Sequence, residues 1–167
     1  LPDGTQPQAL YAAPSADNRL DMFDTGRTLQ NDLSFSGGDE NSTYFISVQN
    51  VDIKGVIPGD KSSRTGARFN GSRKFGKLNT SYNFNYIYNN RNTTPDGPWY
   101  NTYNQPANLD LTKLRDWKDP NSAANPLNFY TDATAAKNPF FLMDNNRNES
   151  ELQTLNGKIE LDYAFTP

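Results

Sequence analysis

The strongest signal along the chain is alternation of apolar and polar side chains at every second position, which predicts β-strands. In "NTSYNFNYIYNN" (79–90) an aromatic stands at Tyr82, Phe84, Tyr86 and Tyr88, with Asn or Ser at almost every position between. Successive side chains of a strand point to opposite faces, so this segment has one aromatic face and one amide face. Upstream, Leu29, Leu33 and Phe35 alternate with Gln30, Asp32 and Ser34. The next run puts Tyr44, Ile46 and Val48 opposite Phe45, Ser47 and Gln49, a less clean division. A third places Ala67, Phe69 and Gly71 opposite Arg68, Asn70 and Ser72. Near the C-terminus, Leu155, Ile159, Leu161, Tyr163 and Phe165 alternate with Asn156, Lys158, Glu160 and Asp162.

The connections between these runs are unequal. "GGDENS" (37–42) predicts a short turn, "KGVIPGDKSS" (54–63) a medium loop, and "GK" at 76 and 77 a tight hairpin. Residues 92–150 carry Pro95, Pro98, Pro106, Pro120, Pro126 and Pro139. Only "DLTKLRDW" (110–117) in that stretch suits a helical turn or two. The organisation expected is a connecting segment over 1–26, four antiparallel strands over 27–91, a long loop over 92–150 and a further strand over 151–167. So long a loop argues against a compact domain unless the architecture provides for it. Outer-membrane barrels do, with short turns at one rim and long loops at the other. A β-sandwich would share the alternation, so the loop asymmetry is what favours the barrel. Five strands cannot close one, since the smallest have eight. The expected fold is therefore all-β, a fragment of a large antiparallel transmembrane β-barrel with one long extracellular loop. The opening "LPDGTQPQAL", without Met or an apolar leader, reads as the interior of a longer chain.

Composition agrees with a polar-lined barrel. Hydrophobic residues are 34% and aromatics 13%, so what is scarce is aliphatic. Disordered chains are poor in aromatics and highly charged, whereas the net charge here is -3. A pI near 4.9 leaves little electrostatic footprint for nucleic acid. Cysteine and histidine are absent, which removes disulfides, thiolate nucleophiles, histidine acid/base chemistry and nearly all zinc sites. No run approaches the roughly 20 apolar residues of a transmembrane helix, so any span must be a barrel strand.

Several motifs, in order, carry a family resemblance. "FDTGRTLQNDLSFSGGDENSTYFISVQNVDIKGVIPG" resembles the start of the barrel in SusC/RagA-type TonB-dependent outer-membrane transporters of Bacteroidota, with their "F-x-T-G" entry, "S-x-S-G-G-x-E/D" turn, "Y-x-x-S" strand and "x-G-I/V-I-P" loop. "RTGARFNGSRKFGKLNTSYNFNYIYNN" is similar to the hairpin that follows, and "NGKIELDYAFTP" to a strand ending in "Y-x-F/I-T-P". The likeness covers most of 22–91 and 152–167. It implies a 22-stranded plugged barrel in the bacterial outer membrane, importing oligosaccharides or peptides beneath a SusD-like surface lipoprotein, with TonB engaging a plug region absent from this sequence. It also implies periplasmic turns at "SGGDENS" and "FGKL", and outward-facing "KGVIPGDKSS" and 92–150.

Tyr82, Phe84, Tyr86 and Tyr88 are expected to face membrane lipid rather than to form a ligand-stacking ladder. Trp99, Tyr100, Tyr103 and Trp117 are the candidates for contact with a sugar or the lid protein, against the alternative that they pack the loop onto itself. Asp39 with Glu40 and Glu149 with Glu151 read as solvated or turn-forming charge, and neither "DGPWYN" nor "DNNRNE" has the spacing of a calcium loop. No nucleophile has a base beside it, so no catalytic residue, metal or cofactor is expected. Two other readings stay open: a secreted or surface β-rich glycan-binding module, and a barrel acting as structural partner in a larger envelope complex.

Overall fold

The computed structural model describes residues 12–125 and 138–166; the parts of the predicted connecting segment and long loop at 1–11 and 126–137 lie outside the described residues. The chain is mostly β, with strands β1 (Arg27–Gly38), β2 (Ser42–Lys54), β3 (Lys61–Phe75), β4 (Leu78–Thr93) and β5 (Asn148–Tyr163). They form one five-stranded antiparallel open sheet in the order β1-β2-β3-β4-β5. The helices are short: α1 (Gly97–Tyr103), a 3-10 helix (Leu111–Asp116) and α2 (Pro139–Asn145).

Local chemistry explains the two turns at one end of the sheet. Between β1 and β2 the Asp39 carboxylate accepts from the Asn41 and Ser42 amides, both at 2.8 Å, and from the Ser42 hydroxyl at 3.0 Å. An Asp side chain bonding its own backbone two residues on is a turn-former. Between β3 and β4 Gly76 takes φ 58°, the left-handed value that a two-residue hairpin with glycine first requires. All the longer connections leave from the opposite ends of the strands.

The Asp39 bonds hold its carboxyl below the ordinary carboxylate range, the Asn41 amide contributing most and the Ser42 hydroxyl next. A depressed pKa in the folded state means stabilisation present above the unfolded value of about 3.9 and lost as pH falls through the folded one. Amide exchange at Asn41 and Ser42, corrected for its intrinsic pH dependence, should therefore accelerate as the solution is acidified below that range. In Asp39→Ala it should be fast throughout and show no such step. A step surviving in Asp39→Ala would rule out the carboxylate as its origin.

The chain divides into two compact units. One is the sheet. The other is drawn from the described parts of 1–25, 56–59 and 94–147, three stretches far apart in sequence. Its core is Met22, Leu111, Leu114, Ala124, Phe140 and Met143, with Phe23, Ile57, Leu109 and Trp117 packed against it. The stretch read as a connecting segment thus supplies Met22 to the interior of the unit that the long loop builds. α1 and α2 were not expected from sequence, being one to two turns each within Pro- and Asn-rich stretches. The "NP" pair at 138–139 was the available signal for α2, since Asn caps and Pro favours the first helical position.

Candidate functional site

Pairing register turns five separately amphipathic strands into one surface. Leu33 pairs with Val48, Val48 with Ala67, Ala67 with Tyr86, and Tyr86 with Leu155. The next same-face row runs Phe35, Ile46, Phe69, Phe84 and Gly157. Directly paired residues share a face, so Tyr82, Phe84, Tyr86 and Tyr88 lie on one continuous apolar face with the aliphatics of the other four strands. That face is bare: Leu33 is 60% exposed, Phe35 62%, Leu155 71%, Ile159 66% and Leu161 67%. Apolar patches much above a few hundred Å² are rare on monomers in water and mark contact with lipid or another protein.

Aromatic rings on this face cover glycines of the neighbouring strand. Tyr44 pairs with Gly37, Tyr82 with Gly71 and Phe84 with Gly157. A Cβ at Gly157 would stand 2.8 Å from the Phe84 ring, one at Gly37 would stand 2.5 Å from the Tyr44 hydroxyl, and one at Gly71 would collide with the Tyr82 hydroxyl. Each ring replaces the side chain its partner lacks, which pins register between the strands. Tyr82 also stacks on Phe69 with centroids 4.9 Å apart.

The apolar band does not run square to the strands. On β1 it extends from Leu29 to Phe35; the residues opposite these, traced across the sheet, are Glu151 and Gly157 of β5. Yet the apolar run of β5 extends from Leu155 to Tyr163. The band has slipped four to six residues toward the short-turn end in crossing from the first strand to the fifth. At about 3.3 Å per residue and 4.8 Å between strands, that is an inclination of roughly 35 to 45°.

The other face is polar and internally bonded. Gln49 donates to Asp32 at 2.7 Å, Thr43 and Ser72 share a bond of 2.8 Å, and Ser81 donates to Glu160 at 3.2 Å. Lys158 pairs with Glu160 at 2.5 Å. Phe45, Val51, Ile53, Ile87 and Leu152 are its larger apolar exceptions.

The loop candidates separate into two groups. Tyr100 and Tyr103, one helical turn apart on α1, are 71% and 76% exposed, and the Arg19 guanidinium lies 5.3 Å from the Tyr103 ring. Trp117 instead packs against the unit's core, edge-on to Phe141 at 5.1 Å, and its indole N–H donates to Asp144 at 3.0 Å. Trp99 belongs to α1, and its side chain lies outside the described residues.

Sequence reading passed over the polar residues that hold this unit together. Buried Asn18 donates from Nδ2 to the carbonyls of Ala107 at 3.2 Å and Leu109 at 2.7 Å, and accepts the Leu111 amide at 3.2 Å. Asn138 accepts the Phe140 and Phe141 amides and donates to the Leu114 and Ala124 carbonyls. Arg115 donates to the Met22 carbonyl at 2.9 Å and lies over the Phe140 ring. Arg147 donates to Thr94, to the Met143 carbonyl and to the Gly59 carbonyl. Composition could not single these out from so many Asn and Arg. Asp110, which caps the 3-10 helix, is held below its ordinary pKa chiefly by the Thr112 hydroxyl.

No described helix is long and apolar enough to cross a membrane. No family model matches the chain, and no curated protein matches it significantly.

Proposed function

We propose that the chain is part of a TonB-dependent outer-membrane importer of the SusC/RagA type, contributing five barrel strands and the unit that joins their outward ends. The observation that carries the reading is the inclined apolar band. Transmembrane barrels tilt their strands by roughly 35 to 45°, so a lipid layer crossing such a sheet would touch each successive strand about one residue further along. A soluble sandwich has no plane to which its apolar positions must answer in this way. The β4 stretch Leu78–Tyr88 matches the roughly 9 to 11 residues a tilted strand needs to cross the hydrocarbon.

Three further features support it. Aromatic residues gather toward both edges of the band, Tyr86 and Tyr88 at one and Phe75, Tyr163 and Phe165 at the other, as in interfacial girdles. The polar face suits a water-filled or plugged lumen. Both outer strands of the described sheet, β1 and β5, offer unpaired edges that a larger barrel would close. The family resemblance adds the solute class, an oligosaccharide or peptide, the SusD-like lid and dependence on TonB. Solute then moves by rearrangement of a plug, without covalent chemistry. The exposed Tyr100 and Tyr103 favour a second reading, a surface glycan-binding module.

The intact mass and membrane fraction of the native polypeptide test this. A chain several times heavier than 18.8 kDa, recovered from outer membrane only with detergent, is the expected result. A chain of about that mass found free in water would overturn the importer and leave the tyrosine pair as the place to look.

A further inference from the structure

Gly66 lies inside β3 without any of the reasons that explain the other strand glycines. It is on the polar face, where no ring covers it as rings cover Gly37, Gly71 and Gly157, and a Cβ built on it would meet only the Tyr86 carbonyl at 3.8 Å, an ordinary contact. Its φ is not positive, and pairing runs unbroken on both sides, to Gln49 of β2 and Ile87 of β4. A glycine inside a strand gives up packing and costs chain entropy. One that neither backbone nor neighbours require marks a place where another chain or a ligand comes close.

On the same face, two residues to either side, stand Arg64 and Arg68. Both are exposed, and among the described residues neither pairs with a carboxylate, that of Asp60 in the connection before β3 included. The carboxylates that this face of the sheet does carry are Asp32, Glu160 and Asp162. Asp32 stands in the row of Gly66 but two strands away, and accepts from Gln30 at 2.6 Å and Gln49 at 2.7 Å. Glu160 is paired with Lys158, and both Glu160 and Asp162 stand toward the short-turn end. The sheet therefore presents two uncompensated guanidinium groups whose backbones are about 13 Å apart, four residues at roughly 3.3 Å each, with a floor bare of side chain between them. Asn89 and Asn85, paired with Arg64 and Arg68, add amide donors and acceptors alongside.

We propose that this trough takes an extended acidic peptide, as a selective contact for solute in the lumen. The inference rests on the importer reading above, which makes the polar face the lumenal one. An extended peptide rises by the same roughly 3.3 Å per residue as β3, so acidic side chains four residues apart fall on one side of it and meet both arginines in either chain direction. Its backbone comes down over Gly66, where no side chain holds it off. Arginine forks bind carboxylates through two parallel hydrogen bonds. Exposed, hydrated cations suit a solute that must leave again, since passage needs contacts strong enough to select and weak enough to release. The shared rise and the narrow floor favour a peptide over an acidic saccharide, whose rings are bulkier and have a different repeat.

The test uses the full-length membrane protein in detergent and calorimetry with a synthetic peptide carrying glutamate at every fourth position among serine and threonine, compared with the same peptide carrying glutamine instead. The unsubstituted protein should bind the glutamate peptide about tenfold or more tighter, a preference that shrinks as salt is raised. The pair Arg64→Gln, Arg68→Gln should erase the preference, and Arg64→Lys, Arg68→Lys should keep part of it. Gly66→Val, which the strand backbone accommodates, should weaken the glutamate peptide about tenfold or more while recovery of inserted protein stays unchanged. No binding of the glutamate peptide, an unchanged preference in the glutamine pair, or equal affinity for an oligogalacturonate of the same charge would each overturn the proposal, the last in favour of a general polyanion site. Lower heat stability in the glutamine pair with peptide binding unchanged would overturn it in favour of a contact within the protein. Fractionation of the same cells separates the two readings. Absence from the outer membrane overturns the importer and this site together, whereas normal insertion with no dependence on the arginines overturns the site alone.

Discussion

Replacing Phe84 with Lys should prevent membrane insertion, while Asn83→Asp, one residue away on the polar face, should insert normally. Phe84 lies near the middle of the β4 run that begins at Leu78 and ends at Tyr88. A lysine on the lipid face of a barrel costs roughly 2 to 4 kcal/mol at the midplane and roughly 0 to 1 near the interfaces. Inclination makes the prediction sharper. Leu155 and Leu33 fall in one row of the sheet, so a band square to the strands would put both at the same depth. With the band inclined, Leu33 is central on β1 and Leu155 is at the edge on β5, where Ile159 is central. Lys at Ile159 should therefore cost more than Lys at Leu155, and Lys at Leu33 should resemble the former. Refolding yield of the full-length protein into lipid vesicles against urea reads this series. Equal costs at Leu155 and Ile159 would remove the inclined-band argument, and equal tolerance of both faces at 83 and 84 would remove the lipid-facing assignment.

The second large effect is expected at Asn138, which is 2% exposed. Its Nδ2 donates to the Leu114 carbonyl at 3.0 Å and the Ala124 carbonyl at 2.8 Å, while its Oδ1 caps α2 through the Phe140 amide at 2.9 Å. Asn138→Asp keeps the cap and destroys the donor, leaving two carbonyls unpaired beside a new buried charge. Each buried group left unsatisfied costs about 1 to 3 kcal/mol, and α2 has only seven residues with which to resist. Hydrogen exchange across 111–125 and 139–145 should rise at neutral pH in Asn138→Asp, with strand amides unchanged. Burial raises the carboxyl's pKa, so the penalty should shrink as pH falls and the acid form returns one donated bond. Unchanged protection at neutral pH would show that the unit does not depend on this side chain.

The strands were legible because their signal is local. A period of two needs no partner, and the opposed sets Leu155, Ile159, Leu161 and Asn156, Lys158, Glu160 can be read without knowing what β5 pairs with. Turn chemistry was equally local, since Asp39 bonds to its own near neighbours and Gly76 supplies a backbone angle other residues avoid. Of the loop unit only the helical turn at 111–116 could be seen. Trp117 was grouped with the exposed tyrosines because aromatic character is visible in a sequence and burial is not.

By itself, then, the sequence determined which residues share a face within each strand and where the chain turns, because both are decided within a few bonds. Tertiary structure alone decided that five faces join into one bare apolar surface and that its edge slips by about a residue per strand. It also decided that Asn18 reaches Leu109 and Asn138 reaches Leu114. These are matters of register and of contacts across many residues, and a local period is the same whichever register the neighbouring strand adopts.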